Sequence, residues 1–451
     1  MKKVVIILVI FFTATLCFAA TIHVPADQPT IQAGIDATSN GDTVLVADGV
    51  YLGSGNRDID FGGREIVVRS AHGAQQTTVD CEGSVITPHQ GFIFKTNEDS
   101  SAILDGFTIA HAFSNTGAVC CSTSSPTIRN CVIIGNSSAG IYIADVSAPK
   151  LENCGIVGNS GSVVFVKNNS GGPPLNPPSS VTIRNCSVSN NGGTGIWIDH
   201  SYAAIDSSNI LANDSSGVWS NCFHSRLSIS NSLVWGNGAN GLMIIYWEGF
   251  FRVTNCTIFS NGSGLSYDFE LPKNSAAASP AVSDSSRISN CIVAFNQDRG
   301  IASLFAWAAA LEARCNDSYG NPSGNYVNTP FGDGDAYGNF SLDPLFCDRD
   351  TSWYIADISP CAPANNSCHE LIGRYGVACA LPYLCGDCDH SGLVNVSDAI
   401  YLVNYIFGGG PAPVPLVTGD ANCDSSINIS DAVYLIHFIF SGGPVPCAVC
   451  K

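Results

Sequence analysis

Hydrophobic and polar residues alternate along a short segment that the middle of the chain repeats seven times. Each copy carries aliphatic positions between polar ones and closes on an asparagine, as in SPTIRNCVIIGN, which ends at Asn136. The closing asparagines follow at intervals of 23, 32, 22, 24, 24 and 35 residues, at Asn136, Asn159, Asn191, Asn213, Asn237, Asn261 and Asn296. A short unit that is sometimes lengthened by a loop is typical of a solenoid.

Two aliphatic columns appear when the copies are aligned on the closing asparagine. β-Branched residues alternating with polar ones predict half-buried strands, and the period of an amphipathic helix is missing from this region. Strands stacked about 4.8 Å apart would place like residues above one another, with aliphatic columns inside and asparagines bonding between turns. The columns are Ile128, Leu151, Ile183, Ile205, Ile229, Val253 and Ile288, and Ile133, Ile156, Val188, Ile210, Val234, Ile258 and Val293.

This pattern resembles the right-handed parallel β-helix of pectate-lyase-like proteins, which have such aliphatic stacks and asparagine ladders. The resemblance runs from about Thr21 to Cys379 and implies a mainly β solenoid, for which we expect about ten coils. It implies no single activity, because lyases, hydrolases, adhesins and structural proteins share the fold. An amphipathic helix is predicted over Pro29–Thr38, with Ile31 and Ile35 on one face, where it would cap the open end of the solenoid.

The pattern changes after Tyr383, where two similar 12-residue loops, Asp387–Asp398 and Asp420–Asp431, each precede an apolar helical segment. Oxygen side chains stand at loop positions 1, 3, 5, 9 and 12, and position 7 offers a backbone carbonyl, which is the EF-hand arrangement for Ca²⁺. The sequence therefore predicts two calcium sites. Their ligands would be Asp387, Asp389, Ser391, Leu393, Asn395 and Asp398, and Asp420, Asn422, Asp424, Ser426, Asn428 and Asp431.

This duplicate resembles a type I dockerin, a small all-α module of two calcium loops and helices that docks onto a cohesin. The resemblance implies a cohesin-type partner, read at Val396, Ser397, Ile429 and Ser430, and the near-identity of the two pairs implies two symmetric binding modes. An end module that is stabilised by calcium and has no cohesin partner is the alternative.

Composition sets the location and excludes one class of partner. The start of the chain, a basic pair followed by an apolar run and small residues, predicts a secretory signal peptide over residues 1–20, hence a secreted or cell-surface protein with no membrane span after cleavage. We expect the β-helix over residues 21–380 and the dockerin-like module over 381–451. The net charge of −18 argues against a nucleic-acid partner.

Five of the 20 cysteines share one repeat position, which serine occupies in two other coils. Interchange with serine indicates small buried side chains, so we expect most of these five to be stacked free thiols, with neighbouring coils close enough for some to pair: Cys131, Cys154, Cys186, Cys256 and Cys291. Cys361 with Cys368 is a better candidate for a disulfide.

Chemistry on the solenoid is harder to find. No catalytic constellation is recognised, and Asp206 and Asp214 are predicted to be solvated. Arg129, Arg184, Arg252 and Arg287 are assigned to one solvent-facing repeat position. Tyr142, Trp197 and Trp219 each follow a glycine–aliphatic pair and should point outwards, with Asp199 on the same face. Such a column could form a flat platform that binds a polysaccharide.

Besides an autonomous structural protein with no ligand, two functions remain open. The first is a non-catalytic binding or scaffold protein attached to its partner through the calcium-dependent module. The alternative is a polysaccharide lyase or glycoside hydrolase acting on acidic glycans within a cohesin–dockerin assembly.

Overall fold

Three parallel β-sheets, wound into one solenoid, contain the repeats. The computed structural model describes residues 19–167, 178–223, 226–247, 249–269, 286–304, 311–348, 352–379, 384–389, 391–413, 416–424 and 426–446. The chain visits sheet 1, sheet 2 and sheet 3 in turn and then returns one rung further along the axis. The predicted right-handed parallel β-helix is therefore confirmed.

The sheets have 12, 11 and 11 strands, and the solenoid has about 13 turns. Sheet 1 comprises Thr21–Val24, Thr43–Val46, Val67–Ser70, Ile103–Asp105, Thr127–Arg129, Lys150–Glu152, Ser180–Arg184, Tyr202–Asp206, Arg226–Ser230, Phe250–Thr254, Ser286–Ser289 and Leu311–Arg314. Sheet 2 comprises Gly49–Tyr51, Thr77–Asp80, Thr108–Ala110, Val132–Ile134, Gly155–Val157, Ser187–Ser189, Asn209–Leu211, Leu233–Trp235, Thr257–Phe259, Ile292–Ala294 and Asp317–Tyr319. Sheet 3 comprises Ile59–Asp60, Phe92–Phe94, Val119–Ser122, Ile141–Ala144, Val164–Lys167, Ile196–Asp199, Val218–Phe223, Asn240–Trp247, Ser263–Phe269, Ile301–Ser303 and Tyr326–Val327.

The expected number of coils was too low. The coils before Ile103 lack the closing asparagine by which the copies were aligned. The coils after Asn296 have strand sequences that differ from those of the seven copies. Their strands nevertheless continue the same sheets in register, for example Val44 opposite Val68 and Ile288 opposite Ala313. The aliphatic residues of both predicted columns are buried in one continuous core.

Two columns of asparagine stabilise the turns, one through its backbone conformation and the other through side-chain hydrogen bonds between rungs. Outside the core, Asn130, Asn153 and Asn185 have positive φ values of 54°, 54° and 52° at the tight turn from sheet 1 to sheet 2, a backbone region that asparagine tolerates. The closing asparagines lie inside, where each Nδ2 donates to the Oδ1 of the next copy, as from Asn213 to Asn237 at 2.9 Å. The predicted bonding between turns is thus present.

The predicted cysteine column is also present. Cys131, Cys154, Cys186, Cys256 and Cys291 are free and buried. Their polar atoms also bond along the axis: the Cys154 N–H donates to Cys186 Sγ, and the Cys186 N–H donates to Ser208 Oγ at 3.2 Å. Interchange of cysteine and serine therefore preserves a small hydrogen-bond acceptor as well as a small volume.

The N-terminal helix is shorter than predicted and spans Ile31–Asp36. Thr30 is its N-cap and accepts a hydrogen bond from the Ala33 N–H at 3.2 Å, so the helix begins after the predicted start. Ile31 and Ile35 are fully buried, as the pattern requires. A Cβ on Gly34 would lie 2.9 Å from a methyl of Val24, so glycine permits this close packing on the first rung.

An irregular segment with a small sheet follows the last rung. This sheet contains Phe346–Asp348, Ser352–Ala356 and Val377–Cys379, and disulfides join Cys347 to Cys379 and Cys315 to Cys368. The suggested pairing of Cys361 with Cys368 was wrong: Cys361 is a free buried thiol that donates to Asp317 Oδ2 at 3.2 Å.

The C-terminal module contains helices Val396–Gly408 and Ile429–Ser441 and a 3₁₀ turn, Leu416–Gly419. Ala399 and Leu402 of the first helix pack with Ala432 and Leu435 of the second. The signal peptide lies largely outside the described residues, and the three domain boundaries stay predictions. Within the described ranges, no helix has the length and apolar character needed to cross a bilayer.

Candidate calcium loops and outward columns of the solenoid

The first loop is already folded around its carboxylates. The two oxygens of Asp387 accept hydrogen bonds from the N–H groups of Ser391, at 3.0 Å, and Gly392, at 2.9 Å. Asp398 closes the loop by accepting from the Asp389 N–H at 3.1 Å and the Asn395 N–H at 2.8 Å. Gly392 has φ of 82°, which fits the sharp bend expected at position 6.

The second loop repeats this geometry. Asp420 Oδ1 accepts from the Asp424 N–H at 3.0 Å. Asp431 accepts from the N–H groups of Asn422, at 3.2 Å, and Asn428, at 3.0 Å. In both loops the last carboxylate therefore joins the loop to the first turn of its helix.

The position-9 asparagines have a role that the motif alone did not show. Asn395 and Asn428 are the N-caps of the two helices, and each forms a capping box with the aspartate three residues later. Their Oδ1 atoms accept from Ser397 N–H and Ser430 N–H, both at 2.9 Å. This role is compatible with the outer, often water-mediated contact that position 9 makes in such loops.

Burial and charge test whether these residues fit a cation. Ligand atoms of Asp387, Asp389 and Asp398 all lie within 4.8 Å of one another. Burial raises the pKa of Asp398 to about 6 and also raises the pKa of Asp431. Residues 381–451 contain six aspartates and Lys451 as their single lysine or arginine. Close, buried carboxylates without a basic partner fit a hard divalent cation with oxygen ligands, and Ca²⁺ would supply the missing positive charge.

The predicted partner-reading residues lie on the surface. Val396 is 44% exposed and Ile429 45% exposed, and both adjoining serines are exposed. Sequence reasoning missed that each apolar side chain begins a longer exposed stripe along its helix. The stripe contains Ile400 and Phe407 on the first helix and Val433 and Phe440 on the second.

The aromatic side chains of sheet 3 form a column on successive rungs: Tyr142, Phe165, Trp197 and Trp219, here called the aromatic column. All four are half-buried and point away from the core. Phe165 was missed because its strand reads Val163–Val164–Phe165 instead of glycine, aliphatic, aromatic. Alignment on the closing asparagine identifies it, because each of the four aromatic residues stands six positions after that asparagine.

The rings of the aromatic column do not form the flat platform that was expected. The ring centroids are 5.8, 6.0 and 4.1 Å apart with interplanar angles of 8°, 25° and 29°, so neighbouring rings stack on one another. Side-by-side rings in one plane would overlap at these distances. Much of each ring face is therefore covered by the next ring, and the surface presents mainly ring edges.

A polar group adjoins the aromatic column. Asp199 lies two residues after Trp197 on the same face, opposite Lys167 on one neighbouring rung and Asn221 on the other. Its Oδ1 is 2.6 Å from His200 Nδ1 and accepts from Asn221 Nδ2 at 3.3 Å. The carboxylate can thus orient the imidazole ring.

The assignment of four arginines to one repeat position was wrong. Arg129 and Arg184 follow the inward aliphatic residue, whereas Arg252 and Arg287 precede it, so they occupy different columns of sheet 1. The column that contains Arg129 and Arg184 alternates in charge over successive rungs. We call it the charge column, and its members are Arg69, Asp105, Arg129, Glu152, Arg184 and Asp206. In it, Arg129 Nη2 is 2.9 Å from Asp105 Oδ2.

Comparison with known proteins agrees with the fold and the module. The right-handed beta helix region model matches residues 37–177 and 174–328, and the chain belongs to this family. The dockerin type I domain model matches residues 385–440. Dockerin type I domains bind Ca²⁺, and proteins that carry them are typically extracellular.

Solved structures with a similar fold are distant in sequence. The mannuronan C-5 epimerase AlgE4 A-module of Azotobacter vinelandii is 16% identical, with a TM-score of 0.44 over 66% of this chain and 92% of its own. Pectate lyase Pel9A is 12% identical, with a TM-score of 0.35 over 75% and 85%. A rhamnogalacturonan lyase is 12% identical, with a TM-score of 0.33 over 73% and 91%. Among curated proteins, none matches the sequence.

Proposed function

We propose that this protein is an extracellular, non-catalytic binding protein whose solenoid is held to a cohesin-type partner by the dockerin. Two Ca²⁺ ions would order the module, one in each loop. The observation that carries the proposal is the duplication of an exposed apolar stripe: Val396, Ile400 and Phe407 on one helix correspond to Ile429, Val433 and Phe440 on the other.

The duplication supports docking because exposed apolar surface is costly unless a partner covers it. Each helix buries one alanine and one leucine in the module and leaves its stripe in solvent. The two stripes carry nearly the same side chains, so either could occupy the same partner surface after a half-turn of the module. Calcium would be required because each stripe begins beside the position-12 aspartate, which completes the capping box of its helix and is also a predicted calcium ligand.

Binding of the full chain to an immobilised type I cohesin tests this proposal. We expect binding in Ca²⁺ and none after chelation. Val396→Asp and Ile429→Asp alone should each retain binding through the other half, whereas the double variant should lose it. Ile86→Asp, at a solenoid side chain that is 90% exposed, is the matched control. Retention by the double variant would contradict the proposed surface, and failure of the wild type with several cohesins would favour the partner-free alternative.

For the solenoid, we propose a glycan-binding surface at the aromatic column with Asp199. It is supported by four half-exposed aromatic side chains on consecutive rungs beside a carboxylate. A glycan array read with the wild type and with Trp197→Ala/Trp219→Ala tests it. Loss of a glycan signal in the double variant is expected, and an unchanged array would refute this surface.

A lyase or glycoside hydrolase acting on acidic glycans is the second candidate, and one observation favours it. His200 is held by Asp199 at 2.6 Å, and Lys167 lies opposite Asp199 on the neighbouring rung, which is a grouping suited to proton transfer. Incubation with pectin and alginate, followed by absorbance of unsaturated products and by reducing ends, separates enzyme from binder. Activity that disappears in His200→Ala would replace the non-catalytic proposal.

A further inference from the structure

The outer face of sheet 1 changes character halfway along the solenoid. In the first half the charge column alternates from Arg69 to Asp206, so acidic and basic side chains face one another on consecutive rungs. Beyond Asp206 this column continues with the uncharged Ser230, Thr254 and Ser289 and ends at Arg314. The alternation of acidic and basic residues that marks the first half therefore ends at Asp206.

Four of the chain's 12 arginines lie on this second half: Arg226, Arg252, Arg287 and Arg314. Arg252 and Arg287 lie directly opposite each other on adjacent rungs. Arg314 lies on the rung after Arg287, opposite Ser289. The Nε atoms of Arg287 and Arg314 are buried and have no hydrogen-bond partner in the part of the chain that the structure describes. Buried guanidinium donors without acceptors indicate a place for an anion.

Two grooves that share Arg252 run along this face. One, of about 500 Å³, is lined by Arg252, Arg287 and Arg314, with Glu312 and Glu370 also on its wall. Glu312 lies opposite Arg287 on the next rung, but neither glutamate forms an ion pair with Arg287 or Arg314 among the described residues, and Glu370 accepts a hydrogen bond from Asn290. The two glutamates therefore offset part of the positive charge of the groove and leave the buried Nε atoms without an acceptor.

The other groove, of about 270 Å³, adds aromatic surface. Phe250 lies between Arg226 and Arg252, whose guanidinium carbons are 4.8 and 5.3 Å from its ring centroid. Arg226 also lies 5.8 Å from the ring centroid of Tyr202. Arginines held against ring faces are pre-positioned and partly desolvated, which strengthens their bonds to an incoming anion.

From these contacts we infer that the second half of sheet 1 is a binding groove for a linear anionic glycan, with one carboxylate or sulfate group on each sugar or disaccharide. One arginine lies on each of four consecutive rungs, and Arg252 and Arg287 are directly opposite each other, which suits a ligand that carries several charges along its length. The ring surfaces of Tyr202 and Phe250 suit sugar carbons. This site is separate from the aromatic column of sheet 3 and does not depend on the function proposed for it.

Other polyanions fit the groove less well. Salt screens charges beyond about 8 Å, so the local arginines dominate for a sparsely charged glycan. Duplex DNA carries a charge about every 1.7 Å and extends far beyond the groove, where it would meet a chain of net charge −18. An acidic peptide would find no main-chain partner on the strands that carry Arg226, Arg252 and Arg287, because these already pair with rungs on both sides; Leu311–Arg314 is the last strand of the sheet.

Calorimetric titration of the full chain tests the inference. The probes are an oligogalacturonate hexamer, a chondroitin sulfate hexasaccharide, and cellohexaose as the neutral control. We expect binding of at least one anionic probe, weakening with added salt, and none of cellohexaose. Arg252→Ala/Arg287→Ala should weaken binding by about tenfold or more, whereas Arg252→Lys/Arg287→Lys should weaken it less because the charge is kept.

Two control variants distinguish this groove from the rest of the solenoid surface. Arg129→Ala removes an arginine that is already paired with Asp105 and should leave affinity unchanged. Ile86→Asp, at a 90% exposed solenoid side chain that lines neither groove, should also leave it unchanged. The inference is overturned if the wild type binds neither anionic glycan, if the alanine double variant binds as tightly as the wild type with its circular dichroism unchanged, or if polyglutamate binds as well as the glycans.

Discussion

Asn213→Ala tests whether the internal asparagine ladder stabilises the solenoid. The Oδ1 of Asn213 accepts two hydrogen bonds from the previous copy, from the Asn191 N–H at 3.3 Å and from Asn191 Nδ2 at 2.8 Å. Its Nδ2 donates to Val188 O at 3.2 Å and to Asn237 Oδ1 at 2.9 Å. Asn213 is 1% exposed, so water cannot easily replace these partners.

Truncation to alanine would leave two buried N–H hydrogens of Asn191 without an acceptor, the main-chain one and one of the two on Nδ2, whose other hydrogen keeps Ile156 O at 3.1 Å. Each such group costs about 1–3 kcal/mol, so we expect a loss of about 4 kcal/mol in the free energy of unfolding. This is a large part of the total stability of about 5–15 kcal/mol that is usual for a domain. Because rungs contact only their neighbours, the loss should be greatest in the strands Ser187–Ser189 and Asn209–Leu211.

Urea unfolding followed by circular dichroism measures the overall effect, and hydrogen exchange read by mass spectrometry locates it. Asn153→Gly is the matched control: its exposed side chain makes one bond along the outer column, from Nδ2 to Asn130 Oδ1 at 3.2 Å, and glycine accepts its φ of 54°. We expect the control to change stability by less than about 1 kcal/mol. If Asn213→Ala unfolds at the same urea concentration as the control, the ladder contributes no net stability and this reasoning is wrong.

Three further predictions concern calcium, thiols and pH. Asp420→Ala should lower Ca²⁺ affinity about tenfold or more in calorimetry, because it removes the position-1 carboxylate; unchanged titration would exclude the second loop as a site. Burial raises the pKa of Cys131 to about 12, so iodoacetamide at neutral pH should label it only after unfolding, and labelling in the native protein would contradict the stacked-thiol column. Burial also raises the pKa of Asp317 well above its usual range, so its contribution to stability is present below the unfolded value of about 4 and is lost as the pH rises towards the folded value. Asp317→Asn should therefore melt higher than the wild type at pH 8 and lose this advantage near pH 4, and a constant difference would refute the effect.

The sequence was sufficient for features that repeat at a fixed place. Ile128 and Ile133 predicted both inward columns, because a buried aliphatic residue is required on every rung. The loop motif predicted the carboxylates that meet in the first candidate calcium loop, because a 12-residue loop has little freedom in where it places positions 1, 3 and 12. In both cases local geometry determines the structure.

The arginine error was one of alignment: Arg129 stands seven residues before its closing asparagine and Arg252 nine residues before its own, so the sequence already separates them. The other errors depend on contacts between distant segments or on side-chain torsions. The bond from Cys315 to Cys368 spans 53 residues and depends on how the irregular C-terminal segment folds back. The stacking of Trp197 on Trp219 depends on side-chain torsions, which no alternation of hydrophobic and polar residues encodes.

Stacking itself indicates where function lies in this molecule. A solenoid places side chains of similar position above one another along its axis. The polar groups of such a column can therefore form hydrogen bonds or ion pairs with the neighbouring rung, or they need a partner from outside the column. Bonds from rung to rung satisfy the asparagine column and the main-chain N–H groups of Cys154 and Cys186, and Arg129 pairs with Asp105 in the charge column. Arg287 and Arg314 have no such partner for their buried Nε atoms among the described residues. Because buried donors without acceptors are costly, an external ligand is the simplest reason for their persistence. In a protein of this fold, the search for a ligand should therefore begin where the polar side chains of a column no longer have partners on the neighbouring rung.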